Sequence, residues 1–265
     1  MQPVPNRSML MIPLTATLLL ASASQAVVTL TNGQSLNLGA LMAGNDRRVR
    51  IDDKLFTFES FTSSQYNANN FSLIAFVSAN TNQFGLHNVG FDLTGPFGDG
   101  LPGDGLSHEM NLQYQVAVRK EFYDLGVRLC DTRLAFNGSA GGTGAYARVD
   151  ETVWDLDANR FLGNLSAFAN SGPPPEQRFT DEKNFCQLWN QPDGFRAFEV
   201  NKDIKFLAPS RSDFAAASFV RQEFSQIMAM PAASVRNPFW FIDCCSRIAA
   251  SGPRWRWPCC SFRRR

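Results

Sequence analysis

The chain has very little histidine: only His87 and His108 occur in 265 residues, and they are not spaced like metal ligands on one helix or hairpin. That excludes most zinc and haem sites. Charge is also scarce, at 18% of residues, with a formal net charge of +1. Near-neutrality hides an uneven distribution. Residues 1–26 carry +1 from Arg7, residues 236–265 carry +6 from seven Arg and one Asp, and the middle of the chain is left at −6. An acidic body excludes nucleic acid as a partner. The Gly-x-Ser-x-Gly elbow of serine hydrolases is absent, and neither glycine cluster precedes the Lys and helix that a phosphate-binding loop needs. The helical period is nearly missing between Val27 and Gln226.

The N-terminus carries the pattern of an export signal. Arg7 is followed by the apolar run Met9 to Leu20 and then by small residues ending Ser24-Gln25-Ala26. A positive start, a short apolar stretch and a small-x-small exit make a secretory leader, too short to span a bilayer stably. Residues 1–26 are therefore expected to be removed by the export machinery, with cleavage after Ala26 or Ala23.

The body, residues 27–226, alternates with the period of two expected of strands. From Met110 to Arg119, Met110, Leu112, Tyr114, Val116 and Val118 fall on one side, and Asn111, Gln113, Gln115 and Arg119 on the other. Further strands are expected at Arg48–Ile51, Lys54–Phe61, Phe71–Val77, Gly90–Leu93, Glu121–Cys130, Ala145–Trp154, Phe161–Phe168, Phe195–Phe206 and Ala215–Phe224. About ten strands fit an all-β fold, an antiparallel two-sheet sandwich of jelly-roll-like type. Phenylalanine is abundant, 23 residues, and most lie at alternating positions where rings fill the space between sheets.

Site candidates are few. Cys130 and Cys186 are the only cysteines in the body, and an oxidising compartment favours their pairing. Trp154 and Trp189 lie near expected strand ends, and either becomes a sugar-stacking candidate if exposed. Asp99, Asp104 and Glu109 sit in or beside the glycine-rich segment 95–105 as weak Ca²⁺ ligand candidates, at a spacing matching neither the EF-hand nor the nonapeptide glycine repeat. The cluster Asn137–Gly144 reads as a hairpin turn. Ser107 and His108, adjacent on extended chain, point to opposite faces and make a poor catalytic pair. Asp131, Asp150, Glu151, Asp155 and Asp157 offer carboxylates for glycoside hydrolysis, but sequence alone does not select a pair. No catalytic, cofactor-binding or firm metal residue emerges.

Several segments resemble the exported bacterial proteins that carry a PEP-CTERM (exosortase) sorting signal. They are the leader, Ile51-Asp-Asp-Lys-Leu-Phe56, Leu134-Ala-Phe-Asn-Gly-Ser139 with Gly142-Thr-Gly-Ala145, Asp150-Glu-Thr-Val153, Val200-Asn-Lys-Asp-Ile204 and Ala217 to Gln226. The resemblance implies a surface or extracellular-matrix role and carries over no catalytic residue. That group ends in Pro-Glu-Pro, about twenty apolar residues and an Arg cluster. Here Arg263-Arg-Arg265 is present, but Asp243, Arg247, Arg254 and Arg256 interrupt the span.

The tail, residues 227–265, is atypical: four of six Cys and three of five Trp fall after residue 239. These are residues that leucine and alanine codons yield when read one base out of register. In the frame starting at the third codon base, Phe239-Trp240, Asp243-Cys244, Cys244-Cys245 and Cys259-Cys260 each give Leu. With permitted codons Val235-Arg236-Asn237-Pro238 gives Pro-Glu-Pro. A frameshifted sorting signal is the expectation, although Ile242 and Asp243 disagree with it. A genuine basic, Cys- and Trp-rich tail that binds membrane or forms disulfides is the alternative.

The sequence thus points to an exported cell-surface or matrix protein of a bacterium with an outer membrane, structural or adhesive and not an enzyme. Its partners would be the export machinery, exosortase through an in-frame C-terminus, and surface polysaccharide. The alternatives are a carbohydrate-binding module and a polysaccharide-acting hydrolase.

Overall fold

Residues 27–229 are described by a computed structural model; residues 1–26, with the expected leader and its expected cleavage site at Ala26, and the tail beyond Ala229 lie outside the described residues. Two facing sheets account for most of these residues. The eight-stranded sheet runs, edge to edge, β1 (Val28–Leu30), β3 (Arg48–Ile51), β4 (Lys54–Ser63), β7 (His108–Val118), β13 (Ala197–Leu207), β9 (Tyr146–Asp155), β10 (Arg160–Asn170) and β11 (Glu176–Arg178). The six-stranded sheet runs β12 (Thr180–Asn184), β8 (Val127–Gly141), β14 (Phe214–Met228), β6 (His87–Gly98), β5 (Ser72–Thr81) and β2 (Ser35–Asn37). All named pairings are antiparallel except β1 with β3. Short helical turns α1 (Leu38–Ala43), α2 (Lys120–Tyr123) and α3 (Phe185–Leu188) punctuate the chain.

Alternation explains why the strands face as they do. On β7 the residues Met110, Leu112, Tyr114, Val116 and Val118 are buried, while the side chains between them reach solvent to varying degrees. Period-two patterning puts these five apolar residues on the side facing the other sheet. The same rule places Phe56 and Phe58 of β4, Phe91 of β6, Phe198 and Phe206 of β13 and Phe224 of β14 inside. Their rings interlock across the gap, with centroids 5.5 Å apart for Phe56 and Phe91, and 5.2 Å for Phe91 and Tyr114. Burying each phenylalanine contributes about 1.5–3 kcal/mol, so this layer dominates the stability of the sandwich.

The all-β, two-sheet expectation holds, with fourteen strands among the described residues in place of about ten. The additional strands β1, β2, β11 and β12 are three to five residues long, too short to show alternation. Two local expectations are corrected. The segment Glu121–Cys130 opens on the helical turn α2, and its strand starts only at Val127. The cluster Asn137–Gly144 is not a hairpin turn, because β8 and β9 belong to different sheets. Its first half completes β8, and Gly142 and Gly144, at φ of +102° and +82°, redirect the chain between layers. The last strand also passes Gln226 and ends at Met228.

Cys130 of β8 and Cys186 of α3 form the disulfide anticipated from the sequence, with Cα atoms 5.1 Å apart. It ties the outer turn α3 to the six-stranded sheet. In each sheet a late strand occupies the interior: β13 lies between β7 and β9, and β14 between β8 and β6.

Candidate functional site

The outward face of the eight-stranded sheet carries rows of polar side chains. The strand registers align one row across five strands: Thr57, Gln115, Glu199, Trp154 and Phe161 are successive cross-strand neighbours. A second row follows as Ser60, Gln113, Asn201, Thr152 and Asn164. Side chains directly opposite one another stand about 4.5–5.5 Å apart at Cβ, so each row is a continuous strip of functional groups.

Hydrogen bonds hold these groups in fixed orientations. Gln113 Nε2 donates to Glu199 Oε1 at 2.9 Å, Asn111 Nδ2 donates to Asn201 Oδ1 at 2.6 Å, and Gln115 Nε2 donates to Glu59 Oε1. Partial burial, and then the charge of Glu199, push the Glu59 carboxyl above its ordinary value. At the end of the first row the Trp154 ring meets the edge of Phe161, centroids 5.5 Å apart, and both side chains are about 40% exposed. The face continues to a shallow groove of about 590 Å³ lined by Tyr146, Arg148, Asp150, Asn170 and Lys205. Arg148 pairs with Asp150 at 2.6 Å and Lys205 with Asp203 at 2.9 Å.

Trp189 is placed differently. Its Nε1 donates to the Leu162 carbonyl at 3.0 Å, and the Arg160 guanidinium lies 4.7 Å from its ring centroid. Both indoles are 39% exposed, but a ring face already covered by a cation offers less to a ligand than the uncovered face of Trp154.

The other sequence candidates serve local structure. The Asp99 side chain is buried, accepting from the Ala208 and Leu101 backbones and facing His108 at 3.6 Å. Asp104 accepts from Leu106 N at 2.8 Å, and Glu109 accepts from Ser107. Among the described residues no group of three or more His, Cys, Asp or Glu side chains is gathered to hold a metal ion, so the Asp99, Asp104 and Glu109 candidates do not converge on a Ca²⁺ site. His108 Nδ1 accepts from Gly100 N at 3.2 Å, so the ring belongs to this loop.

Of the five carboxylates considered for hydrolysis, Asp155 and Asp157 lie together at one end of the sandwich and the other three lie apart. Adjacent on β9, Asp150 faces out and Glu151 faces the core. Asp155 is buried, accepting from Asp157 N and Ala158 N, and Asp157 reaches Arg196 at 4.0 Å. Asp131 lies on the other sheet, its carboxyl raised by burial.

A second groove, of about 560 Å³, opens at one end of the sandwich, between Tyr123, Arg128, Asp157, Phe195 and Arg196. Its cations are already engaged: Arg128 and Arg196 lie 3.5 Å and 5.7 Å from the Tyr123 ring centroid.

Glu59, Glu199, Asn201 and Phe161 were not singled out by the sequence. Asn111, Gln113 and Gln115 were, as the wet side of β7. Knowing which strands flank β7 would have found the remainder.

No protein-family model matches the chain, and no curated protein sequence matches it. Among solved structures, it is similar to the carbohydrate-binding module TmCBM27, described for specific mannan recognition, at 9% identity over 72% of this chain and 96% of that one, with a TM-score of 0.26. It is also similar to a DUF4465 family protein from Bacteroides caccae, at 11% identity over 75% and 90% of the two chains, TM-score 0.26. A cellulase derived from Cel12A of Rhodothermus marinus is similar at 7% identity over 66% and 99%, TM-score 0.23.

Proposed function

We propose that this chain is an exported surface or matrix protein, structural or adhesive in its work, that holds polysaccharide against the outward face of its eight-stranded sheet and performs no catalysis. One observation carries the saccharide reading: a half-exposed aromatic, Trp154, stands in register beside a strip of orientated amides and carboxylates, Glu199, Gln115, Gln113 and Asn201. A sugar ring offers an apolar C–H face and a rim of vicinal hydroxyls. The indole takes the first, and planar amides and carboxylates pair with the second.

Export is supported by the leader pattern of residues 1–26 and by the Cys130–Cys186 bond, which suits an oxidising compartment. The destination is the secreted or cell-surface space of a bacterium with an outer membrane. Exosortase engages the C-terminus where the tail is read in the Pro-Glu-Pro frame. Codons at 235–238 that cannot give Pro-Glu-Pro would remove that part.

A glycan array probed with the exported chain and with Trp154→Ala tests the main reading. Retention of a polysaccharide by the wild type and its loss in the variant supports it. Absence of binding, or chain-shortening of a bound glycan, rejects it.

A further inference from the structure

Lys202 is a lysine where the pattern demands an apolar residue. It points inward from β13 and its side chain is fully buried. Its cross-strand neighbour on β9 is Glu151, also buried, and Lys202 Nζ donates to Glu151 Oε2. From the opposite sheet Gln222 of β14 points inward, fully buried, and Lys202 Nζ lies 2.7 Å from its Oε1. The amide is held from behind: Gln222 Nε2 donates to Thr132 Oγ1 and, at 3.4 Å, to the Arg133 carbonyl. An amine, a carboxamide and a carboxylate therefore share one dry compartment between the sheets, with the amine touching the amide oxygen.

We propose that Lys202 and Gln222 become joined by a covalent ε-amino to γ-carboxamide bond, formed within the folded chain with Glu151 as proton carrier and ammonia as leaving group.

The step balances without any cofactor. Glu151 takes one proton from the Lys202 ammonium, leaving neutral amine beside neutral acid. The Nζ lone pair attacks Gln222 Cδ, and a C–N bond forms. The protonated carboxyl then gives its proton to Nε2, and the Cδ–Nε2 bond breaks and releases ammonia. The surplus proton on Nζ returns to Glu151, from which the departing ammonia takes it as ammonium. One amide replaces another, and nothing is oxidised or reduced.

Three features favour this reaction over a lasting ion pair. Burial pushes the Lys202 amine below its ordinary value against the pull of Glu151, so its neutral, nucleophilic form is accessible. Glu151 Oε1 is buried without a hydrogen-bond partner, which leaves the carboxyl an oxygen on which to hold a proton. Fixed groups at contact distance react with effective concentrations of about 10⁵–10⁸ M, enough to draw out an otherwise sluggish aminolysis.

A second lysine provides an internal control. Lys54 is equally buried, but Asp53 stands between it and Gln226: Lys54 Nζ donates to Asp53 Oδ2 at 2.5 Å, and Gln226 Nε2 donates to both Asp53 oxygens at 2.9 and 3.0 Å. Gln226 Oε1 has no partner, so the amine does not touch that amide, and no bond is expected there.

The test is a peptide map of the full chain, exported from a bacterial host, purified folded, then denatured and digested with trypsin. The expected product is a branched peptide joining 197–205 to 222–236, uncut after Lys202 and lighter by one ammonia than its two arms. The branched mass is the readout, because trypsin leaves Gln222 at a peptide N-terminus, where cyclisation also loses ammonia. Lys202→Arg and Glu151→Gln are each expected to give the linear peptides, and Lys54 is expected to be cut normally throughout. Cleavage after Lys202 in the folded wild type overturns the proposal, whether or not the variants fold. A full yield of branched peptide from Glu151→Gln overturns it as well.

Discussion

Lys202 reaches from one sheet to Gln222 of the other, Nζ to Oε1 at 2.7 Å, with both side chains out of contact with water. A charged group in such a place is tolerable only with its counter-charge, here Glu151. Removing one member strands the other. Among forms that cannot make the Lys202–Gln222 bond, Glu151→Ala, which strands the lysine, is expected to be about 3–5 kcal/mol less stable than Glu151→Leu with Lys202→Met, which removes both charges. Urea midpoints of the single and double variants check this; a double variant as unstable as Glu151→Ala contradicts it.

Gly90 admits no side chain. A Cβ built there meets the Gln222 carbonyl oxygen at 1.7 Å, within the β6 and β14 pairing. Both partners are backbone, so relief requires the strands to part. Gly90→Ala is expected to be among the most damaging single-methyl changes in the molecule, costing several kcal/mol (on the order of 3) or preventing recovery of folded protein. Normal yield and melting temperature would show that the strands separate more easily than this.

Trp154→Ala separates binding from stability. The ring is about 40% exposed, so its loss is expected to change stability by less than about 1 kcal/mol. Affinity for a retained polysaccharide is expected to fall at least roughly tenfold. Trp189→Ala, whose ring face Arg160 already covers, is expected to leave that affinity within about twofold. Equal losses in the two variants would place the saccharide elsewhere.

Replacing Cys130 and Cys186 by Ser together opens a loop of 56 residues in sequence separation. The expected loss is about 4 kcal/mol, seen as a melting temperature lower by on the order of 10 °C. An unchanged melting temperature counts against a formed bond.

Lys54 makes stability depend on pH. Burial, opposed by Asp53, holds its ammonium down at about 8 against an ordinary 10.5. Below pH 8 the folded and unfolded chains both carry the proton, and the full burial penalty is felt. Between about 8 and 10.5 the unfolded chain binds more protons, so stability rises with pH. From pH 7 to 9.5 the gain from this residue is about 2 kcal/mol. Lys54→Met is expected to flatten the dependence; an equal rise in that variant assigns it to another group.

The alternation on β7 was legible residue by residue, because a strand with one dry face repeats every second position. Lys54, Glu151 and Lys202 escaped the same rule. Each charged side chain sits at an inward position; for Glu151 and Lys202 what makes that tolerable is a partner on a neighbouring strand 51 residues away, whereas Lys54 has its counter-charge next to it in sequence, in Asp53. Period says which way a residue points, but not what it will meet. The same limit hid the polar face. Glu199 and Trp154 are 45 positions apart in sequence and adjacent only through the β13 and β9 register. Strand β11, Glu176–Arg178, is exposed and entirely polar, and nothing but its neighbour β10 makes it a strand.

The two interior strands of late sequence have a kinetic meaning. Until β13 arrives, the larger layer exists as two fragments, β1-β3-β4-β7 and β9-β10-β11; until β14 arrives, the smaller one is β12-β8 and β6-β5-β2. A chain emerging amino end first from a ribosome or a translocation channel therefore holds ribbons with open edges until β13 and then β14, residues 197–228, have been made. Such ribbons invite self-association and chaperone holding. Closure is then one late zippering event, and a product stopped short of Met228 is fodder for proteases instead of a smaller working version.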